Sequence, residues 1–437
     1  MFVQFKQSTW KASLLATIIS MLAVTVALAA PGDLDTTFDG DGLVTSFAVP
    51  TSPGRNDRAY SVAVQANGKI VAAGYNYAAS LTTSNFAVIR HNADGSLDTT
   101  FSGDGRLTTD FGAEDLAYDI AVQSDGKIVV AGSTCSTAAC DVALARYKVG
   151  GGLDTAFSGD GKQTSDFGSN DNGSFALTVQ PNGKIVVAGY MWNGSNYDFA
   201  IYRYLSGGGL DNTFGGDGMV NVGFGAGRQD FANDVVIQSD GKIVVIGYTG
   251  DVNYENNNFA IARLNAGGGL DTTFSGDGKL TTNFGADEYA YNVALQTDGK
   301  IVVAGEKDTA TLFASALARY NTDGTPDTTF NITGRRVFSI TSNADSWITG
   351  VRIQSDGKIV ALGSTANGDL LDFSLVRLNT GGGFDSTFSG DGKVTVDFGG
   401  NDFGNALAIQ SSDGKYVLGG YTLDSTQRDF ALARVLP

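Results

Sequence analysis

Histidine, cysteine and glutamate are nearly absent from this 437-residue chain, which carries one His, two Cys and four Glu. The single histidine, His91, sits next to a turn, which excludes Ser-His-Asp triads and histidine-rich metal centres. Two cysteines are too few for a thiolate metal site. In an exported chain, Cys135 and Cys140 are expected to form a local disulfide that pins the loop Cys-Ser-Thr-Ala-Ala-Cys. Basic residues are also scarce, 29 against 46 acidic, for a net charge of −17. Phosphate-led binding of nucleic acid needs clustered Lys and Arg, so that class of partner is excluded. The glutamate deficit leaves 42 of the 46 acids as Asp. Asp prefers caps and turns to helix interiors, so the chain is expected to be turn-rich and all-β.

What the chain does hold begins with an export pattern. Lys6 and Lys11 precede an apolar run from Leu14 to Ala27, and Ala27-Leu28-Ala29 is a small-x-small cleavage site. Residues 1–29 are expected to be a signal peptide, with 30–437 as one domain; an uncleaved anchor is the alternative, since the apolar stretch runs to about 17 residues. Cleavage would leave 27 basic and 46 acidic residues, a charge of −19, and no membrane span. The expected setting is exported: secreted, periplasmic or at the cell surface. Such acidity repels anionic lipid and tolerates cations or neutral glycans.

Three phrases each recur seven times. The first is a strand ending in Gln, a tight Asp-Gly or Asn-Gly turn and a second strand, as in Ala121 to Gly132. Its Gln recurs at 65, 123, 180, 238, 296, 354 and 410, a spacing of 56 to 58 residues. Asp-Gly between β-branched runs is a strong hairpin signal, because both turn residues must accept positive φ. The second phrase, Phe-Ala-Leu-Ala-Arg, ends at Arg90, Arg146, Arg203, Arg263, Arg319, Arg377 and Arg434 and reads as a third strand. The third, Leu-Asp-Thr-Thr-Phe then Ser-Gly-Asp-Gly, leads into an alternating run such as Lys393 to Phe398, a half-exposed fourth strand.

Four strands per repeat and seven repeats predict a seven-bladed β-propeller of four-stranded blades. The first two strands of each unit look apolar on both faces. The chain opens on a third phrase and fourth strand (Leu34 to Phe47) and closes on a third strand at Arg434, so the N-terminal strand is expected to complete the last blade.

These phrases resemble the delta-60 repeat family of bacterial β-propellers, over essentially all of Asp33 to Arg434. The sixth unit departs from the pattern, with Asn331-Ile332-Thr333-Gly334-Arg335-Arg336 in place of Ser-Gly-Asp-Gly-Lys. The resemblance implies a fold and an exported setting, and no defined activity.

A motif present seven times is first a folding device. The Asp-Phe-Gly triplets at Asp110, Asp166 and Asp397 lack every companion of a kinase site, and the Gly runs at Gly150, Gly207, Gly267 and Gly381 are turns rather than phosphate cradles. The repeated Arg and the Asp of Leu-Asp-Thr-Thr-Phe are expected to pair or to cap turns within a blade, and the repeated Gln to bond backbone. No cofactor is required; calcium is the one candidate metal, through Asp98 with Asp104, Asp154 with Asp160 and Asp271 with Asp277.

Function should then lie where the repeats differ, in the loops between second and third strands and on the same face as the connections between blades. That face gathers Tyr75, Tyr77, Tyr190, Trp192, Tyr197, Tyr248, Tyr254 and Tyr421, with Glu114, Glu255, Glu288 and Glu306. Aromatic rings with polar edges suit sugar or protein surfaces. The leading expectation is a monomeric, non-catalytic binding scaffold for a glycan, protein or envelope component. The alternatives are a carboxylate-dependent hydrolase or lyase acting on polysaccharide, and a purely structural envelope protein.

Overall fold

The computed structural model describes residues 29–49, 56–77, 83–137, 139–167, 172–309, 311–424 and 427–437. The expected signal segment lies outside them up to residue 28. The described residues form 28 strands in seven four-stranded antiparallel sheets and no helix. The chain is therefore an all-β, seven-bladed propeller. Blades 1 to 6 span 57–109, 114–165, 172–222, 229–282, 287–338 and 346–396. Blade 7 combines 401–435 with the strand Leu43–Ser46 from the start of the chain.

That last blade closes the ring. Leu43–Ser46 runs antiparallel to the final strand, with Leu43 opposite Ala433 and Ser46 opposite Phe430. Asp35, near the N-terminus, meets Arg434 at 2.6 Å and Lys415 at 2.8 Å.

The same triad holds every other blade and explains the three phrases together. The Lys comes from the hairpin turn, the Arg from the third strand and the Asp from Leu-Asp-Thr-Thr-Phe. In blade 1, Asp98 accepts from Arg90 Nε at 2.6 Å and Lys69 Nζ at 2.7 Å. In blade 4, Asp271 pairs with Arg263 at 2.7 Å and Lys242 at 3.1 Å. Each Arg also stacks over the Phe of the third phrase, with Arg90 4.5 Å from the Phe101 centroid. Arg90 Nη1 reaches on to the Val149 carbonyl of the next blade, 2.5 Å away. The Phe is fully buried, worth roughly 1.5–3 kcal/mol of transfer free energy. Hydrogen-bonded pairing of both charges keeps their burial tolerable.

His91 belongs to a second repeated latch. Tyr147, Tyr204 and Tyr320 each hydrogen-bond a Thr or Ser on the outer strand of the preceding blade, at 2.8, 3.0 and 2.6 Å. His91 takes that place at the closing seam, with Nε2 3.3 Å from Ser46 Oγ and Nδ1 2.8 Å from the Gly95 carbonyl. Cys135 and Cys140 are paired across a hairpin end and joined by a disulfide.

One expectation needs correction. The second and third strands, not the first and second, form the fully buried pair; Ile70–Tyr77 and Ser84–His91 are buried almost throughout. The first strand is the inner one and borders the central channel, so it alternates between packing and exposure, as in Asp57–Val64.

Each inner strand also carries a bulge at one fixed register, falling at Tyr60, Tyr118, Phe175, Asn233, Tyr291, Thr349 and Asn405. Opposite it lies the Gly that ends each Val-Val-Ala-Gly phrase. A Cβ at Gly74 would collide with the Arg58 carbonyl oxygen, and one at Gly132 with that of Leu116. The repeated glycine is therefore the partner of the bulge.

Candidate functional site

The bulges aim one residue per blade at the channel, and their neighbours on either side complete its wall. The channel holds a cavity of about 700 Å³ lined by all seven inner strands. At its mouth, on the face of the variable loops, aromatic rings follow one another from blade 7 to blade 5. Phe403 stacks on Tyr421 at 4.7 Å, and Tyr421 lies 6.4 Å from Tyr60. Tyr60 meets Tyr118 at 5.4 Å, Tyr118 meets Phe175 at 5.2 Å, and Phe175 meets Tyr190 at 5.4 Å. Tyr190, Phe231, Tyr248 and Tyr289 continue at 5.2, 5.3 and 4.9 Å. These rings are half-buried, and Tyr60, Tyr118 and Phe175 line the cavity itself. Blade 6 contributes Trp347 and Thr349 at the corresponding positions.

Deeper in the wall, one residue past each bulge, stand Ser61, Asp119, Ala176, Asp234, Asn292, Gly350 and Ala406. The polar ones clasp adjacent blades. Asp119 accepts from Ser61 Oγ at 2.7 Å in blade 1 and from the Leu177 N–H at 2.8 Å in blade 3. Asp234 accepts from Asn292 Nδ2 at 2.7 Å and the Val293 N–H at 2.8 Å. Asn292 Oδ1 in turn accepts from the Val351 N–H and Arg352 Nη1, both at 2.9 Å. Burial raises both carboxyl groups above the ordinary range; burial first, then the Asp119 charge, push Asp234 up to about 7. Where the bulge residue is Asn or Thr it bonds the next blade directly, as Asn405 Nδ2 does to the Ala59 carbonyl at 2.7 Å. The channel wall is thus an inter-blade clasp with an acidic pair and one arginine in it.

Several residues expected from the sequence gather at the mouth. Tyr190, Tyr248 and Tyr421 belong to the ring series; Tyr75 is buried behind it, stacked on Tyr60 at 5.3 Å, and Tyr77 lies beside Tyr75, its hydroxyl donating to Glu114 at 2.9 Å. Glu306 accepts from Tyr291, a cavity-lining residue, at 2.8 Å, and burial pushes its carboxyl up to about 7. Tyr197 also joins the ring series, 5.5 Å from Tyr190 and 5.1 Å from Phe231, with Trp192 packed on it at 5.1 Å. Others stand at its margin or apart: Tyr254 is exposed on its loop, 6.2 Å from Phe231. Glu255 is exposed on the same loop. Glu288 is fully buried, and its Oε1 caps the Ala286 N–H at 2.8 Å, which makes it loop scaffolding.

The six aspartates considered for calcium are already engaged. Asp98, Asp154 and Asp271 carry the Arg and Lys of the blade triad. Asp104, Asp160 and Asp277 each accept a backbone N–H two residues on, from Arg106, Lys162 and Lys279 at 3.0, 2.9 and 2.9 Å. A cation bound by the first three would have to displace two positive side chains. A separate trio, Asp372, Asp397 and Asp402, brings three carboxylates within 4.8 Å. Asp402 caps the Phe398 N–H there, as Asp115 and Asp230 cap Phe111 and Phe224 elsewhere, so the trio includes a repeated loop cap.

The residues that build the mouth were open to a register count from the repeated Gln. Four positions before it lie Asp119, Asp234 and Asn292; five before lie Tyr60, Tyr118 and Tyr291; seven before lie Arg58, Phe231 and Phe403. Asp in the middle of a β-rich phrase is the signal, since strand interiors disfavour it.

Fold and mouth together define an all-β repeat propeller with an aromatic-rimmed axial channel. The chain belongs to the family described as "Domain of unknown function (DUF5122) beta-propeller", which matches residues 65–101, 123–157, 180–214, 238–274, 296–330, 354–388 and 411–437, more than half of the chain. No curated protein matches the sequence.

Among solved structures, the β-propeller domain of the trilobed protease from Pyrococcus furiosus is 9% identical, over 86% of this chain and 94% of its own, with a TM-score of 0.43. The α-L-arabinofuranosidase Arb93A from Fusarium graminearum is 9% identical over 90% and 98%, at 0.45. The polysaccharide lyase Uly1 is 10% identical over 89% and 90%, at 0.47. At such scores none of them carries an argument about this chain.

Proposed function

We propose that this chain is an exported, non-catalytic propeller that binds saccharide at the mouth of its channel. The observation that supports the reading is the run of half-buried aromatic rings from Phe403 round to Tyr289, opening onto a cavity of about 700 Å³. Sugar rings present C–H faces that pack on aromatic faces, and tyrosine hydroxyls supply polar partners at the rim. The wall carboxylates Asp119 and Asp234 already accept N–H or O–H donors from neighbouring blades, which favours a clasp over acid–base chemistry.

The test is affinity for a panel of plant and bacterial polysaccharides, measured by calorimetry on wild type, Tyr118→Ala and Phe175→Ala. Loss of one ring should weaken binding by about tenfold. Unchanged affinity in both variants would contradict the choice of site.

A hydrolase or lyase is the second reading. It is supported by Glu306, a carboxyl pushed up to about 7 and bonded to the cavity-lining Tyr291. Turnover of a polysaccharide that disappears in Glu306→Gln would establish it in place of the binding reading.

A further inference from the structure

The ring series is interrupted once by charge. At the register seven residues before the repeated Gln, six blades carry Leu116, Gly173, Phe231, Tyr289, Trp347 and Phe403, whereas blade 1 carries Arg58. This arginine is unlike the seven triad arginines, whose Nε atoms each meet an Asp. Arg58 Nη1 donates to the Tyr75 hydroxyl at 3.2 Å, and the Tyr60 hydroxyl is a second hydrogen-bond partner of the guanidinium. Its Nε is buried without a partner. Its guanidinium carbon lies 5.8 Å from the Tyr75 centroid and 5.6 Å from that of Tyr421, so aromatic faces rather than carboxylates surround it. Tyr60, which lines the cavity, brings its hydroxyl to 3.1 Å from that of Tyr75. Of the acidic groups at the mouth, Glu114 is engaged by Tyr77.

A guanidinium has five donors in a planar fork; Tyr75 and Tyr60 engage part of this one, and leaving the buried Nε–H without a partner carries a cost that an acceptor on a ligand would offset. The matching group is a carboxylate, which the fork binds through two parallel hydrogen bonds.

We infer that the mouth recognises an acidic sugar: the uronate carboxylate sits on Arg58, with the Tyr60 and Tyr75 hydroxyls beside it, while neighbouring neutral rings lie along the aromatic series. This rests on the saccharide-binding reading. The chain's net charge of −17 disfavours dense polyanions at long range. The ligand class is therefore a mostly neutral polysaccharide with occasional uronate residues, not a heavily sulfated one.

The experiment measures dissociation constants for glucuronoxylan and polygalacturonate, each beside its carboxyl-reduced form, and for dextran sulfate beside dextran. Wild type, Arg58→Gln, Arg58→Lys and Tyr118→Ala are compared at equal thermal stability. Wild type should prefer glucuronoxylan over its reduced form by about tenfold or more, the gain expected for hydrogen bonds to a charged group, and polygalacturonate over its reduced form by less, because its dense charge is opposed by the acidic chain. Arg58→Gln should abolish that preference while keeping affinity for the reduced form. Arg58→Lys should restore only part of it, because an ammonium lacks the fork. Tyr118→Ala should weaken acidic and reduced forms alike. Equal wild-type affinity for acidic and reduced polymers overturns the uronate assignment and leaves the saccharide reading standing. A preference for dextran sulfate over dextran with none among the uronates overturns it in favour of a sulfate ester. Binding to none of the six polymers counts against both readings.

Discussion

A carboxyl group at residue 234 is held in the wall of a protein channel by three N–H donors, with a second carboxylate, Asp119, close enough to raise its pKa further. Its folded value of about 7 exceeds the ordinary 3.8. The unfolded chain therefore ionises this group at a lower pH than the folded one does. Its protonated form stabilises the fold at acid pH, and that contribution is lost as pH rises from about 4 through 7, at roughly 1.4 kcal/mol per unit before the wet channel screens part of it. Thermal melts of wild type and Asp234→Asn at pH 5 and pH 8 should show the wild type losing more stability across that interval. An equal loss in both proteins would show that residue 234 does not titrate in this range.

His91 carries a proton in the opposite sense. Burial lowers its pKa, so protonating it at acid pH costs stability as pH falls below about 6.5. A tyrosine in the same latch, as at Tyr147, has no such cost.

Among the elements, the closing strand is the most exposed to test. Leu43–Ser46 covers the edge of the last blade and brings Asp35 to Arg434 and Lys415. Breaking a buried pair of this kind costs about 3–5 kcal/mol, and the strand's apolar contacts add to that. Deleting residues 30–49 should lower the melting temperature by roughly 10 °C or more. An unchanged melt would mean that the ring does not depend on its N-terminal strand.

The hairpins, third strands and split blade are legible in the chain because Asp-Gly turns and Ala-Leu-Ala-Arg phrases act locally and recur. Pairing of the repeated Arg and Asp can be foreseen for the same reason, whereas the hairpin Lys that joins them comes from the structure. The bulge is not legible in that way. It is a slip of backbone register that the pattern of side chains barely records, and it decides which residue of each inner strand points into the channel. Sequence patterning therefore points to loop tyrosines such as Tyr254 and to loop glutamates such as Glu288. The structure instead gathers Tyr60, Tyr118, Phe175 and Phe231 from within strands. Arg58 escapes notice for a related reason: its oddity shows only when the seven inner strands are aligned at the bulge.

For the whole molecule, seven equivalent blades explain why so much of the sequence serves closure. Each unit spends its most regular residues on the Arg-Asp-Lys triad, the Tyr or His latch and the bulge glycine. Differences between units collect at the channel wall and the mouth, where one face differs from blade to blade and the other stays nearly uniform. Net charge acts at this scale as well, keeping the molecule acidic while Arg58 lies among tyrosines at the mouth.

The central claim is that ligand binds at this mouth. The most direct measurement is a crystal structure of the protein soaked with the best-bound oligosaccharide from the panel. Sugar rings should lie against Tyr118 and Phe175, with a carboxylate on Arg58. Sugar found only on the hairpin face or the outer edges of the blades would contradict the account.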